Sequence, residues 1–175
     1  MKTILAIDPS GNFNEGEGTT GWVLMREDYR VLDGGHISAT NYDCAERYWN
    51  EHIQLIENTK FDYIIIEGYK LYNHHGMKAE VQAHSELETS QLIGILKYWC
   101  FITHYNLTIQ YASDVKTRWS NKILTDLGLL TKKGQYYCIG INQLLCNRHE
   151  RDALRHAVHF NRYILDNKIE KGGNT

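Results

Sequence analysis

Three acidic residues from distant parts of the chain each stand where a buried element ends. Asp8 closes the apolar run Ile4-Leu5-Ala6-Ile7, and Glu67 closes Tyr63-Ile64-Ile65-Ile66. Asp152 lies in His149-Glu150-Arg151-Asp152-Ala153-Leu154-Arg155-His156-Ala157, a segment of helical character. A carboxylate at the exit of a buried strand is costly unless a cation or a hydrogen-bond network compensates it. Three of them suggest a site for hard divalent cations, and with it metal-assisted phosphoryl chemistry. His149, Asp152 and His156 are spaced i, i+3 and i+7, so they share one helical face. That face can complete a site of three carboxylates and a histidine. Oxygen-rich ligation suits Mg²⁺ or Mn²⁺, two ions lying about 3.5–4 Å apart to clamp the attacking and leaving oxygens. Each residue alone has a plainer meaning: Asp8-Pro9 as a turn, Glu67-Gly68 as a solvated strand end, His149 and Asp152 as an exposed polar pair. Their joint occurrence favours the site.

Such a site needs strands and a helix to hold it. Lys2–Asp8 reads as a buried strand, Gly21–Met25 as a second and Arg30–Ser38 as a third, with Glu27-Asp28 favouring a hairpin between the last two. Between the first two strands lies a loop, Pro9–Thr19. Asp43–Glu57 has helical periodicity. Tyr63–Glu67 is short and rich in β-branched residues, hence a central strand. A helical region from about Ala79 to His104 precedes a fifth strand, Leu107–Tyr111. Ser113 is read as the N-cap of a short helix, and Asn121–Leu127 as helical until Gly128. Thr131–Gly140 is read as irregular, and a last helix as running from about Arg148 to Asp166. The order predicts an α/β layer structure around a five-stranded mixed sheet flanked by helices. A strand parallel to the first would bring Asp8 and Glu67 out at the same edge.

The 175 residues fit one domain over 1–170 with a disordered tail at 171–175. Hydrophobic content of 42% and charged content of 23% are ordinary for a soluble protein. No signal peptide or membrane span is visible, and the four cysteines lack paired metal-ligand spacing, so a cytosolic protein with free thiols is expected. The net charge of −2 hides an asymmetry: Lys and Arg outnumber Asp and Glu after residue 111 and are outnumbered before it.

The series Ile-Leu-Ala-Ile-Asp8-Pro9-Ser10, Thr20-Gly21-Trp22, Ile-Ile-Ile-Glu67 and His149-x-x-Asp152-Ala153-x-x-His156-Ala157 resembles, in order, the RuvC branch of the RNase H-like nucleases. These are Holliday-junction resolvases, and the single-domain build is similar to that of phage-type members. The resemblance implies an RNase H-like fold, a homodimer, and Mg²⁺-dependent paired nicking of two strands of a four-way DNA junction in recombination and repair. On that pattern Asp8 bridges two ions, Glu67 and Asp152 each bind one, and His149 fills a position occupied by Asp or His. The longer loop at residues 10–19, with Glu15 and Glu17, departs from the pattern.

Substrate contacts are read from residue chemistry. The loop after Glu67 offers Tyr69, Lys70 and Tyr72, since aromatic rings stack on unpaired bases. His74-His75 is not a ligand pair, because adjacent side chains diverge. Lys116, Arg118, Lys122, Lys132, Lys133, Arg148, Arg151 and Arg155 are the candidate phosphate contacts. Trp119 and the Tyr136-Tyr137 pair are assigned to core or interface. The amphipathic helix near Ser85–His104 is the candidate dimer surface. Three other readings stand beside this one: a nuclease for other branched DNA or RNA, a non-catalytic branched-DNA-binding protein, and a sugar-kinase or actin-like phosphotransferase. The last needs a second domain and an Asp-Gly phosphate loop that the chain lacks.

Overall fold

The structure is a computed structural model describing residues 1–13, 18–69, 78–140 and 143–165, with the side chains of 78–86 and 144 left aside. Glu15, Glu17, Lys70, Tyr72, His74, His75 and the tail 171–175 lie outside the described residues.

Alternation along the first strand determines the layering. In β1 (Thr3–Asp8), Ile4 and Ala6 point to one face while Leu5 and Ile7 point to the other, and all four are fully buried. A strand buried on both sides belongs in the middle of a sheet. Its neighbours are β2 (Thr19–Arg26), antiparallel, and β4 (Tyr63–Gly68), parallel; β3 (Val31–Ser38) and β5 (Leu107–Tyr111) complete the order β3-β2-β1-β4-β5. The sheet is thus five-stranded and mixed, as the sequence predicts.

One face is covered by α1 (Ala45–Asn58) and α2 (Lys78–Ile102), which pack Ile56, Leu92, Leu96 and Cys100 against Leu5, Ile7, Ile64 and Ile66. The other is covered by α5 (Arg148–Phe160), whose Ala153, Leu154, Ala157 and Val158 meet Ile4, Ala6, Val23 and Ile65. Each of the Val, Leu and Ile side chains among them contributes roughly 1.5–3 kcal/mol when fully buried. None of the helices among the described residues is long and apolar enough to cross a membrane.

Two local expectations are corrected. Thr131–Gly140 is not irregular: β6 (Leu130–Lys133), β7 (Tyr136–Ile139) and β8 (Leu144–Cys146) form a second, three-stranded antiparallel sheet. Leu130 and Ile139, paired across the hairpin, anchor it in the core under α5. Ser113 is not an N-cap; β5 runs directly into α3 (Ala112–Val115), capped at Tyr111. Ser120 does cap α4 (Asn121–Asp126), accepting from Ile123 N. The last helix runs as expected from Arg148, as α5 to Phe160 and then as a π-helical stretch over Asn161–Leu165.

A buried polar cluster ties the chain after Asp8 to α1. His52 is fully buried; its Nδ1–H donates to the Tyr48 carbonyl (2.9 Å), leaving Nε2 to accept from the Thr20 hydroxyl (2.7 Å). Thr20 Oγ1 accepts from Ser10 N, and the Tyr48 hydroxyl donates to Ser10 O. Burial pushes the His52 pKa from 6.5 down to about 4, so the folded protein holds a neutral ring where the unfolded chain takes a proton. The resulting stability is present above pH 6.5 and is lost as the pH falls toward 4, about 3 kcal/mol in all. In urea unfolding, the advantage of wild type over His52→Gln should shrink by that amount across the same window. A pH-independent difference would contradict this assignment.

Candidate active site

The parallel register Ile7↔Ile66 places the ends of β1 and β4 side by side, and the alternation that buries Ala6 and Ile65 under α5 turns Asp8 and Glu67 toward the same helix. On the other side of Asp8, its cross-strand partner is Gly21. A Cβ at Gly21 would lie 2.1 Å from the His149 carbonyl carbon and 2.3 Å from Glu150 N, so only glycine lets the first turn of α5 rest on the sheet there. That seat brings His149 Nδ1 to 2.9 Å from Asp8 Oδ2. Gly21→Ala should therefore lift the first turn of α5, costing roughly 1–3 kcal/mol or more and weakening the Asp8–His149 contact. Chemical denaturation, with the His149 ring shift in NMR, would measure both. An alanine protein as stable as wild type would refute the seat.

The start of α5 is fixed by a capping box. Asn147 Oδ1 accepts from Glu150 N at 3.1 Å, and Glu150 Oε2 accepts from Asn147 N. Glu150 Oε1 also meets His36 Nδ1 at 3.2 Å, joining the cap to β3.

Around the three acids the structure assembles cations. Lys116, just after α3, places Nζ 3.1 Å from Glu67 Oε1 and 3.0 Å from Asp152 Oδ2. Glu67 Oε2 accepts from the fully buried His156 Nε2 at 2.8 Å, and His156 Nδ1 faces Gln110 Oε1 at 2.9 Å. Asp152, buried, is bound by Arg155 Nη1, while Arg148 Nε stands 3.9 Å away.

The carboxylates differ electrostatically. Burial pushes the Asp8 pKa up to about 6; His149 opposes this, and the Glu67 charge adds to it. For Glu67, burial acts upward too, but the His156 hydrogen bond and the His156 and Lys116 charges outweigh it and hold the group well below the usual carboxylate range. His149 is raised, chiefly by its hydrogen bond to Asp8. Asp8 is thus the acid with the least compensation in the cluster.

Among the described residues no group of three or more His, Cys, Asp or Glu is close enough to hold a metal ion. The donor chemistry nevertheless fits a hard cation. Glu67 and Asp152 aim at one point, marked by Lys116 Nζ at about 3 Å from each. Mg²⁺ binds oxygen at about 2.1 Å, so such an ion would displace the ammonium and draw the carboxylates inward. Asp8, Glu67, Asp152 and His149 are the residues available to hold it.

The remaining sequence candidates are dispersed. Lys116 belongs to the acidic cluster itself. Arg155 is half of an internal brace, with Nε donating to Trp119 O at 2.8 Å and Nη2 to Asn121. Arg151 donates to Cys146 O and lies over the Tyr137 ring at 5.1 Å. Arg118 covers the Tyr163 ring, and Lys122 pairs with Asp126. Lys132, Lys133 and Arg148 are exposed, the first two on β6. Tyr69 packs at the edge of the α1–α2 core. Trp119 packs beside the α5 core, as expected, while Tyr136 is exposed. Sequence reasoning missed the direct His156–Glu67 bond, although the shared face with Asp152 was its signal.

No protein-family model matches the sequence, and no curated protein matches it. Solved structures do. T. thermophilus RuvC in complex with a Holliday junction substrate superposes with a TM-score of 0.62 at 13% identity, covering 93% of this chain and 96% of that one. A Thermus thermophilus RuvC structure gives 0.58 at 14%, covering 94% and 96%. Over nearly its whole length, therefore, this chain has the RNase H-like fold in the form that RuvC takes.

Proposed function

We propose that the protein is a metal-dependent endonuclease that resolves four-way DNA junctions by paired symmetric nicks. The observation that carries this reading is the meeting of Asp8, Glu67 and Asp152 with His149 at the ends of two adjacent parallel strands, in a fold shared with a protein solved on a Holliday junction. Phosphodiester hydrolysis by such a set needs no protein nucleophile. Two Mg²⁺ or Mn²⁺ ions bound there would supply an activated water and stabilise the departing 3′ oxygen. The chain's own part is to fix the carboxylates. Strand pairing holds Asp8 and Glu67, the capping box and Arg155 hold Asp152, and His149 holds or moves a proton at Asp8 Oδ2.

The branched DNA would be held by Tyr69, Lys70, Tyr72, Arg118, Lys122, Lys132, Lys133, Arg148 and Arg151, with Lys116 acting from within the acidic cluster. Paired nicks require two centres, hence a homodimer. The outer face of α2 supports one: Leu87, Tyr98 and Phe101 are 53%, 65% and 74% exposed, with Gly94 between them. Their spacing of seven, four and three residues forms a single stripe. A cytoplasmic location in a bacterial or phage-infected cell follows from this reading.

The deciding experiment offers the protein with Mg²⁺ a synthetic four-way junction beside flap, duplex and RNA–DNA hybrid substrates, with its mass measured by sedimentation. Symmetric paired nicks by a dimer are expected. Cleavage confined to hybrid or RNA would transfer the site to another nuclease class.

A further inference from the structure

The small sheet has an anchored end and a free one. Leu130 and Ile139 hold the first in the core. Beyond them the chain reverses at Gly134-Gln135, where Gly134 takes the positive φ of 59° that a two-residue hairpin turn requires. Every residue from Thr131 to Tyr136 is exposed. Register places this tip. Tyr137 pairs with Cys146, and β8 runs on directly into Asn147, the cap of α5. Tyr136 and the turn therefore extend past that pair, on the side toward which β8 delivers the first turn of α5 and its His149. Arg151 fastens ladder and helix together: it donates to Cys146 O at 3.2 Å, and its guanidinium lies 5.1 Å from the Tyr137 ring centre.

Charge sets this hairpin apart. Residues 127–149 contain no Asp or Glu but hold Lys132, Lys133 and Arg148. No ion pair to either lysine occurs among the described residues. Tyr136, directly opposite Lys133 in the ladder, is 59% exposed. Its hydroxyl accepts from Gln135 Nε2 at 2.8 Å, a contact at the rim of the ring rather than on its face. Lysine is depleted at protein–protein interfaces, whereas an aromatic ring beside unpaired cations is the combination that holds a single-stranded base and its backbone. We propose that the β6–β7 hairpin grips the branch point of the junction, an inference that rests on the nuclease reading above. Tyr136 stacks on a base left unpaired there, and Lys132 and Lys133 hold the flanking phosphates. The stack fixes which nucleotide reaches the carboxylates, because the ladder that carries Tyr136 leads into the helix that carries His149 and Asp152. Continuous duplex offers phosphates but no free base, so the lysines alone hold it.

The test uses the full chain with Ca²⁺ in place of Mg²⁺, a four-way junction carrying 2-aminopurine beside the crossover, and a linear duplex of the same sequence. Emission should change on binding, and Tyr136→Phe, which keeps the ring, should give the same change. Tyr136→Ala should give a different bound-state emission and weaken junction affinity about tenfold, with duplex affinity altered less than about twofold. The double variant Lys132→Gln, Lys133→Gln should weaken junction and duplex alike and lower the salt dependence of binding by about two counterions. If Tyr136→Ala leaves emission and affinity unaltered, or weakens both DNAs equally, the proposal is overturned while the nuclease reading stands. A Tyr136→Ala protein that sediments as a monomer where wild type is a dimer would make this face a subunit interface and overturn it too. A wild-type protein that neither binds nor cuts any branched DNA would overturn both readings.

Discussion

Asp8→Asn, Glu67→Gln and Asp152→Asn proteins are each expected to lose junction cleavage by on the order of a thousandfold or more while still binding the junction. Several kcal/mol of transition-state stabilisation pass through a bound ion, and each 1.36 kcal/mol is a factor of ten. Binding relies on other side chains and should survive. Stability should move the opposite way from activity at Asp8. Its folded pKa, about 6, lies above the ordinary 3.8, so the fold prefers the protonated acid. That preference stabilises the fold below pH 3.8 and is lost as the pH rises through about 6, leaving an ionised Asp8 that costs up to about 3 kcal/mol near neutrality. Asparagine removes the charge and can still accept from His149. Metal-free Asp8→Asn should therefore melt higher than wild type at pH 7, and added Mg²⁺ should narrow the gap by stabilising wild type alone. Thermal melts with and without Mg²⁺, run beside the cleavage assay, check both halves. Full cleavage by Asp8→Asn would sink the proposed mechanism.

The second large effect has the reverse sign. Lys116→Met should destabilise the metal-free protein, because Glu67 and Asp152 lose the cation they share. Breaking a buried pair costs about 3–5 kcal/mol; since the Lys116 side chain is 32% exposed, about 1–3 kcal/mol is expected after screening. The variant should also bind Mg²⁺ more tightly, having lost the ammonium that occupies the same point. Calorimetric titration should show the gain in affinity, and Mg²⁺ should raise the melting temperature of Lys116→Met more than that of wild type. A double-mutant cycle with Glu67→Gln isolates the pair. Equal metal-free stabilities would show that Lys116 is not the counter-charge of this cluster.

The sequence made the sheet and two of its acids readable for one physical reason. Runs such as Ile4–Ile7 and Ile64–Ile66 have a single good solution, a central strand buried on both faces, and the residues closing them must emerge together if the strands are parallel. Lys116 carried no such mark. In the sequence it is one cation among many in a basic stretch, and only the path of the chain from β5 through α3 turns it onto Glu67 and Asp152. Arg155 misleads for the same reason: an arginine on the last helix reads as a phosphate contact until its brace to Trp119 and Asn121 is seen. The small sheet escaped because its strands are three or four residues long and carry Lys132-Lys133. Pairing and the burial of Leu130 and Ile139 supply what periodicity over so short a run does not.

The parallel register of β1 and β4 has a consequence for how such a protein changes over time. Asp8 and Glu67 belong to strand ends whose pairing is dictated by buried side chains upstream, not by the segments that follow them. Residues 70–77, which follow the second of these strands, can therefore differ in length or chemistry between related chains without shifting either carboxylate. A lineage built this way can rewrite that segment while the placement of its carboxylates is inherited unchanged. A one-residue deletion inside either strand would turn its acid to the wrong face of the sheet.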